Sequence, residues 1–544
     1  MTGGLHDHIE RTDDAAVSAD GRDKGLAARP RGAVARGRHV RDVDCRDGDG
    51  ERHRPICDGG LGGVLRGSIG QVPLATRSFA LLHGELGAEA RERLEAASED
   101  ARSLLDGRTV WRVNSTPRGG GVAEMIRTLV PYWRGSGIDA RWLVMGAPPQ
   151  FFGLTKRIHN LLHGTPGRRP GLRDQAVFDR VARSVGAQAA ERVAPGDVVI
   201  LEDPQTAGLV GPLKRAGAVV VWRCHVGADR PSDAAEMAWR FLLPSLGEAD
   251  AFVLTRREFI PAGLDARRIL LLAPAIDPFS AKNQPLPHAV GRSILTVCGL
   301  AQAPGAVSKP RVAVAGGRVV DVRRRCGVLR EGDPPRLGTD RLVVALGRWD
   351  RLKDPVGIIH AFAEYVDEPR VRLIVAGPTP YAVADDPEAD QVLREARAAW
   401  EGLPRSQRRR VDLAVLPMAD LDENALIVNA LQRDAAVVLK KSLQEGFGLG
   451  VTEGMWKARP VIATRVGGQQ DQIEHRRTGL LVDDPTDLAA FGAAINELLR
   501  DPGAALGLGI AAREVVRTRF LVDRHFVEWT AALRAAITEA ATVE

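Results

Sequence analysis

Short apolar segments alternate with amphipathic helical segments in two separate runs along this chain. In the first run, RTVWRVNS (108–115), DARWLVM (139–145), GDVVILED (196–203), AVVVWRCH (218–225) and ADAFVLT (249–255) read as strands. In the second, RLVVALGRWD (341–350), VRLIVAGP (371–378), RVDLAVLP (410–417), AAVVLKKS (435–442) and RPVIATRV (459–466) do. Helices are expected between them, at 122–137, 355–365, 388–402 and 421–433. Strands this uniformly apolar need cover on both faces, which parallel sheets with crossover helices supply. The expected fold class is α/β, with two Rossmann-like, doubly wound parallel-sheet domains facing a cleft. Ligands of such sheets sit at the carboxyl ends of the strands.

Boundaries follow from changes in composition. Residues 1–67 form an extension rich in Arg, Asp and Gly, and the first aromatic residue of the chain is Phe79. Such a segment buries too little apolar surface to offset its ordering entropy, so it is expected to be disordered or a mis-assigned start. The first domain is expected over 68–285, with a helix at 81–105. The Pro-rich, polar stretch LAPAIDPFSAKNQPLP (272–287) reads as a linker. The second domain is expected over 286–520, with an insertion at about 288–340 that contains a weak helix and a small hairpin. From Thr486 to about Ala541 the pattern is helical with one turn near Asp501-Pro502-Gly503, and 521–544 is expected as a terminal helix on the first domain.

Bulk properties narrow the function classes. At 544 residues, 44% hydrophobic and 26% charged, the chain has the composition of a globular protein with more than one core. No run of about 18 apolar residues spans a membrane, and no apolar leader core is present. The five cysteines show no CxxC spacing, so a zinc cluster or a disulfide framework is not expected. The net charge of +6 is scattered among acids and does not form a stripe, which argues against nucleic acid. The expected setting is cytoplasmic and the expected partners are small molecules, with a homodimer left open.

The stretch KKSLQEGFGLGVTEGMWKARPVIATRVGG (440–468) concentrates the chemistry. Glu445 lies in a loop before a helix, and Glu453 lies about one turn inside it. Backbone N–H groups at Gly446, Phe447, Gly448 and Leu449 can receive anions or hydroxyls, and the two carboxylates can accept from vicinal hydroxyls. Together they describe a nucleotide sugar. In GRWDRLKDP (347–355), Arg348 and Lys353 suit a diphosphate leaving group, although a solvated loop paired to Asp350 or Asp354 is the bland alternative. A glycine turn at Gly119, Gly120 and Gly121 follows the first strand and can bind an anion through its backbone. It lacks the G-x-G-x-x-G spacing of a dinucleotide site, and the next strand has no acidic residue for a ribose. His225 and Asp203 end strands and should face the cleft, with Arg223 beside His225. FFGLTKRIHNLLHG (151–164), with Lys156, His159, Asn160 and His163, reads either as an acceptor loop or as a surface helix. His159 and His163 have metal-ligand spacing, but no third ligand accompanies them, so no metal is expected.

These motifs resemble the retaining GT-B glycosyltransferases of family 4. VNSTPRGGGVAEM, IDARWLVMGAPPQFFGLTKRIHN, VVVWRCHV, APAIDPFSAKN and GFGLGVTEGMWKARPV resemble the glycosyltransferring trehalose synthase subgroup in particular. The resemblance covers roughly residues 70 to 540. It implies transfer of glucose from an NDP-glucose to glucose, giving α,α-trehalose. It implies that Glu445 meets the donor glucose, Glu453 the ribose hydroxyls, Arg348 and Lys353 the diphosphate, and His225 a sugar hydroxyl edge. Gly120 and Gly121 would close over the diphosphate. His225, Arg348, Lys353 and Glu445 are thus the expected catalytic set, and Asp203, Asn160 and Arg223 the acceptor side. No resident cofactor is expected, with solution Mg²⁺ an optional aid. Gly347 and Gly454 stand where the family motif has serine and alanine. A trehalose phosphorylase, another hexosyltransferase of the family, or a weakly catalytic nucleotide-sugar-binding protein are the alternatives.

Overall fold

The computed structural model describes residues 67–380 and 387–543; the expectations for residues 1–66 lie outside them. The first sheet has seven strands: β1 (Ile69–Val72), β2 (Val110–Asn114), β3 (Ala140–Met145), β4 (Val198–Glu202), β5 (Val219–Cys224), β6 (Ala251–Leu254) and β7 (Ile269–Leu271). Their spatial order is β1-β3-β2-β4-β5-β6-β7. All neighbours are parallel except β1, which runs antiparallel to β3 at the edge. Every residue of β2, β4, β5 and β6 is buried, as their apolar composition requires.

Residues 272–287 connect the halves, but they are not a solvated linker. Ile276, Asp277, Ser280, Ala281 and Asn283 are buried. Asp277 accepts from the Tyr132 hydroxyl at 2.8 Å and from Phe279 N at 2.9 Å, and pairs with Arg77. The polar residues there are satisfied by one another and by Arg77, Tyr132 and Lys457 of the flanking halves, which composition alone does not reveal. A helix at His288–Val297 and a hairpin of β8 (Arg311–Ala313) and β9 (Val319–Asp321) follow.

The second sheet contains β10 (Gly327–Leu329), β11 (Arg341–Leu346), β12 (Val371–Pro378), β13 (Val411–Leu416), β14 (Ala435–Lys440), β15 (Val461–Thr464) and β16 (Leu480–Val482). Their order is β10-β13-β12-β11-β14-β15-β16, parallel except for β10. The expected insertion therefore contributes an edge strand as well as a hairpin. In each sheet the strand order reverses direction once, between β2 and β4 and between β11 and β14. Those reversal points are where a doubly wound sheet opens a crevice at its carboxyl edge.

Helices cover both faces of both sheets. The C-terminal region is three helices, Leu488–Arg500, Pro502–Arg519 and Val522–Val543, with a second break at Phe520–Leu521. At that break Ile276 N donates to Phe520 O at 2.9 Å, so the two chain crossings between the halves run side by side. The last helix buries Phe526, Trp529 and Leu533 in the first sheet's core. No described helix is long and apolar enough to cross a membrane.

Candidate active site

The carboxyl ends of the two sheets face one another across a cleft of about 480 Å³. On the first side, the turn after β2 is tied down by its own side chains. The Asn114 amide donates to Thr116 O at 2.7 Å and accepts from the Trp142 indole at 2.8 Å. Gly119 and Gly120 have φ of 72° and 81°, a left-handed geometry that favours glycine. They lead directly into the helix Gly121–Gly135, which has no side-chain cap, so its first N–H groups point into the cleft. A β-carbon on Gly121 would stand 3.0 Å from Leu449 Cδ1 of the opposite half.

On the second side, the segment after β11 folds into a short turn, Arg351–Lys353, capped by the Asp350 carboxylate on Leu352 N at 2.9 Å. Asp354, with φ of 46°, then caps the helix Pro355–Tyr365 by accepting from Gly357 N at 2.9 Å. These two caps aim Arg348 and Lys353 into the cleft. Lys353 pairs with Glu445, which also accepts from the Ser442 hydroxyl at 3.3 Å. Burial pushes the Glu445 carboxyl up, but the surrounding groups, led by the Lys353 ammonium, together hold it below the ordinary glutamate value. Burial likewise raises Glu453, and Lys282 and Lys457 bring it below the usual range. Glu453 accepts from Gln432 Nε2 at 3.0 Å and from Lys282 Nζ at 3.3 Å, while Lys282 also pairs with Glu124 of the first half.

The halves meet tightly. A β-carbon on Gly446 would collide with His225 O of the first half. Gly467 N donates to the Asp229 carboxylate at 2.7 Å, and Arg256 reaches Asp471 at 2.5 Å. Lys156 Nζ lies 2.9 Å from both Asp350 and Glu388.

Gly119, Gly120, Gly121, Asp203, His225, Arg348, Lys353, Glu445, Gly446, Phe447, Gly448, Leu449 and Glu453 all line the one cleft. Phe447 also packs its ring on Phe520 at 5.6 Å, so it anchors the turn as much as it faces ligand. Two of the three residues expected on the acceptor side, Arg223 and Asn160, do not line this cleft. Arg223 lies inside β5 and is 1% exposed, covered by the Trp529 ring of the last helix at 5.8 Å, whereas His225 lies past the strand end and lines the cleft. Asn160 sits in a separate shallow depression with Lys156, Thr165 and Glu388. Helical spacing sends it off the face that carries His159 and His163, and it is those two histidines that line the cleft. Burial lowers the His163 pKa to about 4, and its Nδ1–H donates to Gly227 O at 2.9 Å.

Other cleft residues had no distinct signal in the sequence. Lys440, whose pKa burial lowers to about 8, threads its tip beneath Gly450 and donates to Leu346 O. Glu124 comes from the first turn of the helix Gly121–Gly135 and Lys282 from the buried connection 272–287. Glu202 sits in a strand that reads as plain core. Gly454, which stands where the family motif has alanine, has a packing reason: a β-carbon would lie 3.0 Å from Val461 Cγ2 and 3.3 Å from Val438 Cγ1. Among the described residues no group of three or more His, Cys, Asp or Glu is placed to hold a metal ion.

The chain is similar to known proteins in sequence and in fold. Residues 112–261 match the family profile described as "Trehalose synthase, N-terminal domain", and residues 340–501 match "Glycosyl transferases group 1". A trehalose synthase of Rubrobacter xylanophilus is 32% identical over 440 residues, which is 80% of this chain and 92% of that protein. A trehalose phosphorylase of Pleurotus pulmonarius is 27% identical, over 71% of this chain but only 52% of its own length. In architecture the chain is similar to a UDP-forming α,α-trehalose-phosphate synthase of Burkholderia vietnamiensis. The TM-score is 0.57 at 14% identity, covering 79% of this chain and 99% of that one. With two Rossmann-like halves closed on a shared cleft and this extent of identity, the chain belongs to the trehalose synthase family of GT-B glycosyltransferases.

Proposed function

We propose that the protein transfers glucose from an NDP-glucose to the anomeric hydroxyl of glucose, with retention, forming α,α-trehalose and NDP. The observation that carries this reading is the Lys353–Glu445 pair beside Arg348, set opposite His225 at the meeting point of the two sheets. A cation pair suits a diphosphate that gains charge as the bond from the anomeric carbon to phosphate oxygen breaks. The ionised Glu445 and Glu453 suit hydroxyl-rich sugar and ribose. In the front-face displacement we favour, the acceptor oxygen bonds to the anomeric carbon while its proton passes to the departing diphosphate. Lys353, Arg348 and the N–H groups before the Gly121–Gly135 helix balance that charge, and free Mg²⁺ can share in it. Tight closure keeps water from hydrolysing the donor.

The coverage of relatives supports synthesis over phosphorolysis, since this chain spans most of the synthase and about half of the phosphorylase. The deciding experiment is a panel of ADP-, UDP- and GDP-glucose donors against hexose acceptors, scored for product identity and anomeric configuration. Trehalose released with NDP supports the proposal. Trehalose made only from glucose 1-phosphate, or cleaved only with inorganic phosphate, would replace it with the phosphorylase reading.

A further inference from the structure

Beneath the cleft wall lies a buried charge network that joins His225 to two residues outside the expected site, Glu202 and Arg112. Glu202, the last residue of β4, is 1% exposed and uses both carboxylate oxygens. One oxygen pairs with the Arg112 guanidinium from β2; the other lies 3.0 Å from His225 Nε2. Arg112 is itself held by the C-terminal helix, stacked 4.8 Å from the Trp529 ring. On the other side of His225, Arg223 Nε also approaches Nε2, at 3.4 Å, and the Asp203 carboxylate accepts the His225 backbone N–H at 2.9 Å. His525, on the C-terminal helix, is turned toward Trp529 and bonds its indole at 3.1 Å.

These contacts compete for one atom. A ring nitrogen cannot donate to Glu202 and accept from Arg223 at once. The Glu202 contact is shorter and charge-assisted, since Arg112 keeps that carboxyl ionised against the cost of burial. An ionised carboxylate facing a lone pair at 3.0 Å would be repulsive, so the proton must be on Nε2.

We infer that Glu202 is a positioning residue that locks His225 in the Nε2–H form, so that Nδ1 meets the ligand in the cleft as a hydrogen-bond acceptor. His225 therefore selects a ligand hydroxyl that donates. That last step rests on the sugar-binding reading of the cleft; the tautomer itself does not.

The variant Glu202→Gln makes a directional test. Arg112 can only donate, so it must keep the glutamine carbonyl oxygen. The amide NH₂ is then turned toward His225 Nε2, which has to present a lone pair, and the ring switches to Nδ1–H. The measurement is side-chain ¹H–¹⁵N correlation on the full chain with ¹⁵N-labelled histidine, without substrate, at about pH 8, above the ordinary histidine pKa. His225→Gln identifies the signals by their loss. The expected wild-type spectrum has a protonated-type shift at Nε2 and a lone-pair type at Nδ1, and Glu202→Gln exchanges them. In the transfer assay, kcat/KM of Glu202→Gln should fall on the order of 10²-fold, the scale of a misdirected group at the reacting centre. A wild-type Nδ1–H signature overturns the inference, and so does an unchanged His225 spectrum in Glu202→Gln. Should that variant not fold, the wild-type spectrum decides alone. Because the spectra need no substrate, a failure of the proposed reaction leaves this result standing, and the reverse also holds.

Discussion

Lys353 and Glu445 are held against each other where the carboxyl ends of the two sheets converge. A buried carboxylate in that position is tolerable only while a cation stands beside it. Replacing Lys353 by alanine has two effects: it removes a cation from the proposed diphosphate site, and it leaves Glu445 buried without its main partner. Turnover of Lys353→Ala should fall by about 10²-fold or more, the scale for losing one group that stabilises developing charge. Near-wild-type turnover under saturating donor would end the diphosphate assignment. His163 offers a complementary measurement that needs no substrate. Its folded pKa of about 4 lies below the ordinary histidine value, so between about pH 6.5 and 4 the unfolded chain binds a proton that the folded one does not. Stability from this group is complete above that window and is lost as pH falls through it, by on the order of 3 kcal/mol. Denaturant titrations of His163→Gln across the window should show a shallower pH dependence than wild type. An identical slope would mean that this histidine is not kept neutral by burial.

The pieces that carry these residues differ in how well the sequence discloses them. Predominantly apolar strands such as β2, β5 and β12 are readable because burial on both faces leaves room for only an occasional polar residue such as Arg112 or Arg223. The helix Pro355–Tyr365 is also readable, since Asp354 and Pro355 mark its start. Three-residue strands such as β7, β10 and β16 are not, because their pairing depends on neighbours distant in sequence. The cleft residues split along the same line. Glu445, Glu453, Arg348 and Lys353 belong to local glycine-marked turns, so their spacing discloses them. Lys282, Glu124 and Glu202 acquire meaning only when other segments fold against them. Arg223 misleads because it has the same parity as His225 but still lies within β5, where the last helix covers it through Trp529, and that cover comes from a segment distant in sequence. The packing around Gly454 is not legible locally, because its neighbours Val438 and Val461 come from two strands, β14 and β15. Gly454→Ala should therefore destabilise by about 1–3 kcal/mol, the usual cost of overpacking, and not firm up the helix. Thermal unfolding of that variant decides between the two, with a raised midpoint contradicting the packing account.

Closure of the whole cleft depends on polar contacts that join its two walls. Arg256 reaches from the first half to Asp471 of the second and also holds Asp229, whose other oxygen takes Gly467 N. Gly446 allows the walls to touch, because any side chain there would meet His225 O. Backbone contact of this kind gives no way to relieve a clash by rotating a side chain, unlike an ion pair, which can lengthen or be bridged by water. The two devices should therefore fail differently. Arg256→Met should leave a molecule that still closes but does so less often, which raises the KM of both substrates more than it lowers kcat, since only the competent fraction falls. Gly446→Ala should instead bar full approach, so kcat falls while the circular dichroism spectrum of two intact sheets is kept. Small-angle scattering tests the geometric half of the argument. Gly446→Ala should have a larger radius of gyration than wild type in the presence of saturating nucleotide sugar, whereas Arg256→Met should return to the wild-type value under the same conditions. If both variants match wild type, contact at Gly446 does not limit closure, and the water-excluding role assigned to it falls as well.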